Sequence, residues 1–273
     1  MDTTRRDFAL ALAALSLPVA RYRGGPANDN RLVDAPPPQG PGSASMVGSE
    51  KIAFLLYPGF TALDVVGPHY MLASLMGAKV WLVAKTAGPV ESDLQLAIAA
   101  TSTFAECPED LDILCVPGGT RGTASAMQDA ATIAFLQERG KRAKYVTSVC
   151  TGSMLLGAAG LLDGYRATSH WATRDILKEF GAEPVDARVV VDRNRITGAG
   201  VTAGLDFGLE IVARQRDEAY AKGMQLLAEY APAPRFQAGT PETAGPETTT
   251  MMRGMLAAAV AQFRKIAEQK KNR

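Results

Sequence analysis

The stretch AKYVTSVCTGSMLLGAAG, residues 143–160, decides the fold. Its first half is a short run of β-branched and aromatic residues. Its second half places small and apolar residues at helical spacing, and only Cys150-Thr151-Gly152 lies between the two. A strand that passes so directly into a helix is the repeating unit of a parallel α/β sheet. A cysteine at that junction has two readings. It is a small buried hydrophobe at a strand end, or it is a nucleophile held on an elbow, a tight bend that exposes one side chain over the sheet edge. Gly152 allows the backbones to approach closely. The helix that follows offers free N–H groups and a positive dipole end, which favour a thiolate. The carboxyl ends of parallel strands are also where doubly wound sheets bind ligands.

Working outward, the same alternation recurs. Strands are expected at residues 51–57, 79–85 and 111–119, the last ending in the glycine turn Pro117-Gly118-Gly119. Residues 90–104 read as a short antiparallel excursion followed by a loop, and two further strands fall near 188–191 and 195–197. Helical periodicity covers 63–75, with Pro68 near the start, then 129–140, 151–159, a segment through Phe180, 201–215 and 217–230. Short strands spaced by helices imply parallel strands with helices on both faces. The expected fold is one three-layer α/β/α domain, flavodoxin-like (Rossmann-like), with a nucleophile elbow. Residues 232–246 are a Pro- and Gly-rich arm. A last helix is expected over 248–268, within a C-terminal helical extension at 246–273, with Met251, Met255, Leu256 and Val260 on its apolar side.

The N-terminus differs in character. Arg5-Arg6 precede an apolar run from Phe8 to Ala20, too short to span a membrane. Residues 1–20 read as a twin-arginine signal for export to the periplasm, with a fortuitous apolar helix or a mis-set start codon as the alternatives. The following segment LPVARYR has no clean small-x-small cleavage site. Residues 21–49 are dense in Pro, Gly, Asn and Ser and read as a disordered linker. The folded domain begins near Glu50 and extends to about residue 245.

Bulk composition narrows the function classes. The 273 residues are 47% hydrophobic, enough for one substantial core. Twenty-nine basic and 28 acidic residues leave a formal charge of +1 and no basic stripe, so nucleic acid is not the expected partner. The three cysteines, Cys107, Cys115 and Cys150, form no CxxC pair, which argues against a disulfide scaffold and a cysteine metal cluster. With two histidines, His69 and His170, and no HExxH, no metal site is expected. The PGGTRG turn lacks both GxGxxG and a P-loop lysine, which argues against a nucleotide site. Cys115 lies inside an apolar strand and reads as packing, whereas Cys107 has no assigned role.

Five pieces carry a specific resemblance: FLLYPGFTALDVVGPH, DILCVPGGT, YVTSVCTGSMLLGAAGLLDGYRATSHW, ITGAGVTAGLDFGLEI and EYAPAPRFQAGTP. In their order and spacing the chain resembles the PfpI-like branch of the glutamine-amidotransferase-like superfamily, and within it the isonitrile hydratases. The resemblance spans about residues 50–245. It implies that Cys150 is the nucleophile, that Asp64 is the catalytic acid, and that the Thr151 side chain lies near the Asp64 carboxyl. Gly118, Gly119 and Val201 are expected at the substrate pocket. So is Ala199, where the hydratases favour a glycine. The resemblance further implies a small-molecule isonitrile substrate, no cofactor, a homodimer, and a thioimidate on Cys150 that water converts to an N-substituted formamide. Threonine after the cysteine and aspartate at the acid position both point away from a Cys-His peptidase dyad.

Other readings stay open. Taken alone, Asp64 near a helix start reads as an N-cap. His170, expected from the next strand end, either approaches the site or packs as a structural histidine beside Trp171. His69 reads as structural. Glyoxalase- or deglycase-like chemistry on small carbonyl compounds is an alternative, as are a ligand-sensing domain and a redox sensor. Residues 232–273 are too short for two helix-turn-helix motifs, so a transcriptional regulator is not expected.

Overall fold

A computed structural model describes residues 46–271. The expected signal at 1–20 and most of the expected linker lie outside the described residues. Met46–Ser49, the end of that linker, are tied to the domain: the Gly48 N–H donates to the Met76 carbonyl at 2.8 Å, and the Arg216 guanidinium donates to Met46 O.

Five parallel strands form the centre of the sheet: β1 (Lys51–Leu55), β2 (Lys79–Ala84), β6 (Ile113–Val116), β7 (Tyr145–Val149) and β11 (Arg195–Gly198). Two edge strands complete it, β5 (Ser102–Thr103) and β10 (Val189–Asp192), in the order β10-β11-β7-β6-β1-β2-β5. This is the doubly wound order of flavodoxin-like folds, with its topological switch between β1 and β6. β6 and β11 are buried throughout, and β1 and β7 are buried except at their first residue. Such strands read as unbroken apolar runs because both sheet faces are covered. β10 departs from the expected parallel arrangement. Only Arg193 and Asn194 separate it from β11, and a connection that short can close only an antiparallel hairpin. The excursion after β2 is the antiparallel hairpin β3 (Gly88–Glu91) and β4 (Ala97–Ala100). A further small pair is β8 (Arg166–Ala167) with β9 (Glu183–Pro184).

On one face pack α1 (Ala62–Ala73), α5 (Ala203–Gln215) and α6 (Glu218–Leu227). On the other lie α2 (Arg121–Ala126), α3 (Ala130–Arg142), α4 (Gly152–Ala158), a 3-10 helix (Arg174–Phe180) and the long α8 (Pro246–Lys271), preceded by the single turn α7 (Pro241–Ala244). The short α2 has no counterpart in the sequence reading.

Pro68 sits in the middle of α1, not near its start. It has no N–H to offer the Asp64 carbonyl one turn earlier. The cost is offset by packing. A Cβ on Gly204 would come within 2.8 Å of the Pro68 ring, and one on Gly208 within 2.8 Å of Met71 Cβ. Two glycines on α5 thus let the helices touch almost backbone to backbone, which fixes where α1 points. The expected apolar side of α8 is also rotated. Met251 and Met255 face solvent, whereas Leu256, Val260, Phe263, Ile266 and Ala267 face inward. The inward set keeps the 3.6-residue period along the whole helix, and the two methionines fall off it.

Gly204→Val is expected to lower stability by about 1–3 kcal/mol, because the added methyls collide with Pro68 and Val149. A denaturant titration should show a lower midpoint with an unchanged slope.

Candidate active site

The carboxyl ends of β1, β6 and β7 converge at the switch point, and each carries one part of the site. From β7 comes Cys150, with φ of 57°, a left-handed conformation rarely taken by residues other than glycine. Such a residue costs on the order of 1–3 kcal/mol and persists only when its surroundings over-determine it. Here they do. The Cys150 N–H donates to both Gly198 O (3.1 Å) and Ala199 O (2.7 Å), and its carbonyl accepts from Ser153 Oγ (3.1 Å) and Ser169 Oγ (3.0 Å). Gly152 completes the bend, since a Cβ there would strike the carbonyls that end β6.

From β6 comes the Gly118-Gly119 turn. The Gly119 N–H donates to Thr151 Oγ1 at 3.0 Å, and Thr151 Oγ1 donates back to Gly119 O at 2.8 Å. Thr151 Oγ1 is also 3.0 Å from Thr123 Oγ1, which is 2.9 Å from the Tyr57 hydroxyl. Tyr57 in turn donates to Pro117 O at 2.8 Å. The Thr151 side chain is therefore held by the glycine turn and this hydroxyl chain, and it flanks Gly118 together with the Asp64 carboxyl: a Cβ there would lie 2.7 Å from Thr151 Oγ1 and 2.9 Å from Asp64 Oδ2.

Asp64 enters from the first turn of α1, the helix that follows β1. Thr61, not Asp64, occupies the N-cap position of α1, so the capping reading of Asp64 does not hold. Its carboxyl turns away from its own helix and accepts the Gly118 N–H at 2.8 Å through Oδ2, while Oδ1 is buried without a hydrogen-bond partner. A Cβ on Gly118 would sit 2.9 Å from Asp64 Oδ2 and 2.6 Å from the Thr151 nitrogen. Only a glycine there lets the acid approach the elbow.

Burial dominates the electrostatics. It pushes the Asp64 carboxyl up to about 8, opposed by the Gly118 hydrogen bond and reinforced by the charge of Asp93. Burial also raises the Cys150 thiol well above its usual value, and Asp64 raises it further. Hydrogen bonds from the Thr151 backbone and side chain pull the other way without prevailing. Desolvation thus opposes the thiolate that the helix-start hydrogen bonds favour. At neutral pH both groups keep their protons. Cys115 is pushed up to about 12 by burial, against the Thr147 hydrogen bond, and does not line the cavity above Cys150. Burial therefore does not separate the two cysteines, but the elbow and the cavity do.

That cavity holds about 640 Å³. Cys150, 7% exposed, lies on its floor with Thr151 and Gly119. Val201 and His170 line one side. His170 Nδ1 accepts the Ala172 N–H at 3.3 Å, and burial with nearby Arg174 lowers its pKa. Gly118, Asp64 and Ala199 do not line the cavity. They lie beneath its floor, Gly118 and Asp64 behind Thr151, and Ala199 with its carbonyl on the Cys150 N–H. Ala199 is thus not among the lining residues where it was expected; its carbonyl helps hold the elbow. His69 is packed on Phe54, with ring centroids 5.6 Å apart, away from the cavity.

Sequence reasoning missed most of the wall. Leu63 and Val66 of α1, Leu94 and Leu96 of the β3–β4 turn, and residues of α8 supply its apolar surface. Two leucines flanking Gln95 in a turn were the available signal. Tyr57, Thr123 and Asp93 were also missed, and nothing in their sequence context marks them.

The DJ-1/PfpI family model matches residues 50–214. The chain belongs to this family. An isonitrile hydratase from Pseudomonas putida is 50% identical over 194 residues, covering 71% of this chain and 84% of its own length. A crystal structure of a ThiJ/PfpI family protein from Pseudomonas syringae matches with TM-score 0.80 and 54% identity, over 84% of this chain and 98% of that one. A deglycase from Thermococcus kodakarensis is 30% identical over 148 residues, 54% of this chain and 88% of its own length.

A carboxyl whose folded pKa is raised contributes stability that is fully present below its unfolded pKa, near 4, and lost as pH rises toward about 8. Asp64→Asn carries no charge to bury. Its stability relative to the native chain should therefore grow by about 1.4 kcal/mol per pH unit across that window and level off above it. Denaturant melts of both proteins at several pH values measure this.

Proposed function

We propose that the chain hydrates isonitriles to N-substituted formamides through a covalent Cys150 adduct. The observation that carries the reading is Cys150 on the floor of an apolar cavity with the Asp64 carboxyl beneath that floor, near enough to raise the thiol's pKa. The 50% identity to the Pseudomonas putida isonitrile hydratase supports the same chemistry.

An isonitrile carbon accepts a nucleophile and a proton at the same atom and offers no leaving group. A thiol and a carboxylic acid, each holding one proton, match that need. Cys150 Sγ attacks the terminal carbon, forming the S–C bond. Asp64 transfers its proton to that carbon, forming the C–H bond, and takes up the thiol proton. The product is a thioimidate, R–N=CH–S–Cys150. Water adds to its carbon while the nitrogen gains a proton. The tetrahedral adduct then collapses, the C–S bond breaks, the thiol is reprotonated through Asp64, and the formamide leaves. The unpartnered Asp64 Oδ1 is the oxygen free to carry the transferable proton, since Oδ2 is occupied by Gly118. The charges acting on Cys150 come from carboxyl groups, Asp64 before Asp93. This is unlike a Cys-His dyad, in which an imidazolium draws the thiol down.

A second copy of the chain is the partner that the family resemblance implies. Light scattering should return twice the monomer mass.

Purified protein incubated with small alkyl and aryl isonitriles should yield formamides, identified by their formyl proton in NMR spectra. Cys150→Ala should abolish turnover. Asp64→Asn should lower kcat/KM by about 10²–10⁴. The wild-type rate should fall as pH rises through about 8, because only protonated Asp64 donates. Full activity in Asp64→Asn, or lactate from methylglyoxal in place of formamide from isonitriles, contradicts the proposal.

A further inference from the structure

The cavity is far larger than the reacting group requires. An isonitrile function is two atoms wide, whereas about 640 Å³ lies above Cys150. Much of the remaining wall comes from α8, which lies beyond the residues 50–214 matched by the family model. Leu256, Ala259, Val260 and Phe263 all line the cavity. These positions follow one helical stripe.

The helix is fixed at both ends of this stripe. Toward its C-terminus, Phe263, Ile266 and Ala267 are buried against the domain. Toward its N-terminus, the Arg253 guanidinium lies 5.1 Å from the centroid of the Trp171 ring, which itself packs on His170. Leu256, Ala259 and Val260 bridge the interval between these anchors. They face Leu63, Val66, Leu94 and Leu96 across the opening.

The chemistry of this wall restricts what fills it. Its described lining residues include no Lys or Arg, and the charged one, Asp93, is exposed. An anionic substituent has no partner there. Water in the apolar part finds few hydrogen-bond partners either. An apolar chain or ring displaces that water at a gain of about fourfold in affinity per buried methylene.

We infer that α8 is the specificity wall of this site, selecting isonitriles whose substituent is an uncharged apolar chain or ring long enough to reach Leu256, Ala259 and Val260. The inference rests on the hydratase reading for the reacting group, but the wall itself does not depend on it.

The test compares straight-chain isonitriles from methyl to octyl. In the wild type, kcat/KM should rise with chain length until the cavity is filled. The measured quantity is the ratio of octyl to methyl kcat/KM within each variant, so a general loss of fold or catalysis cancels. Ala259→Trp should lower that ratio by at least about tenfold. Leu256→Ala should shift the optimum toward bulkier rings. Met255→Trp, on the outward face of the same helix, should leave the ratio unchanged. An unchanged ratio in Ala259→Trp, or an equal fall in Met255→Trp, overturns the inference.

A second arm applies even if no isonitrile is turned over. N-alkylmaleimides of increasing chain length add the Cys150 thiol across their double bond, forming an S–C bond while the proton goes to the adjacent carbon. Mass spectrometry reads the rate at Cys150. The same dependence on chain length, lost in Ala259→Trp, supports the wall while the hydratase reading fails. Length-independent alkylation in the wild type overturns the wall.

Discussion

Burial of the Asp64 carboxyl is the constraint on which the rest of the site depends. A carboxylate cannot be held away from water at neutral pH without a compensating charge, and the neighbouring Asp93 has the wrong sign. The group keeps its proton instead. The backbone is arranged to hold it there. Gly204 and Gly208 bring α5 against Pro68 and Met71, which aims the first turn of α1 at the β6 turn. Gly118 then supplies an N–H to Asp64 Oδ2 and, having no Cβ, leaves room for that same oxygen to approach. The same burial that favours a proton on Asp64 also lowers the stability of the fold as pH rises.

The elbow is the second half of this arrangement, and it works by the same logic. Cys150 is strained in φ, and the strain is held by carbonyls at the end of β11 and hydroxyls of Ser153 and Ser169. Thr151 is pinned to Gly119 and joined through Thr123 to Tyr57, a chain of neutral hydroxyls. None of these contacts adds charge. A site assembled from neutral donors around two protonated groups is suited to adding S–H across one carbon. It is poorly suited to expelling an amine, which calls for a charged pair. The apolar cavity above extends the same preference from the reacting atoms to the substituent.

Much of this was legible in the sequence because parallel α/β units write themselves locally. Residues 143–160 show a strand, a turn and a helix without reference to anything distant. The glycine turn at 117–119 is equally plain. What was misread depended on partners remote in sequence. Pro68 reads as a helix start until α5 glycines are seen to accept its ring. The apolar side of α8 reads through Met251 and Met255 until Phe263 and Ile266 are seen to set its orientation. The antiparallel β10 follows from a two-residue loop, a local signal passed over. Ala199 and Gly118 are expected at the pocket on the family resemblance, yet their contribution is through backbone atoms beneath it. The thiolate expectation weighed the helix start and omitted desolvation, whose size depends on the whole surrounding core.

The central claim is that Asp64 holds a proton at neutral pH beside a neutral Cys150. Infrared difference spectra between the native chain and Asp64→Asn test it most directly. The account predicts a protonated-carboxyl C=O band at neutral pH that disappears as pH is raised through about 8, with carboxylate bands taking its place. Carboxylate bands already present at neutral pH would contradict it.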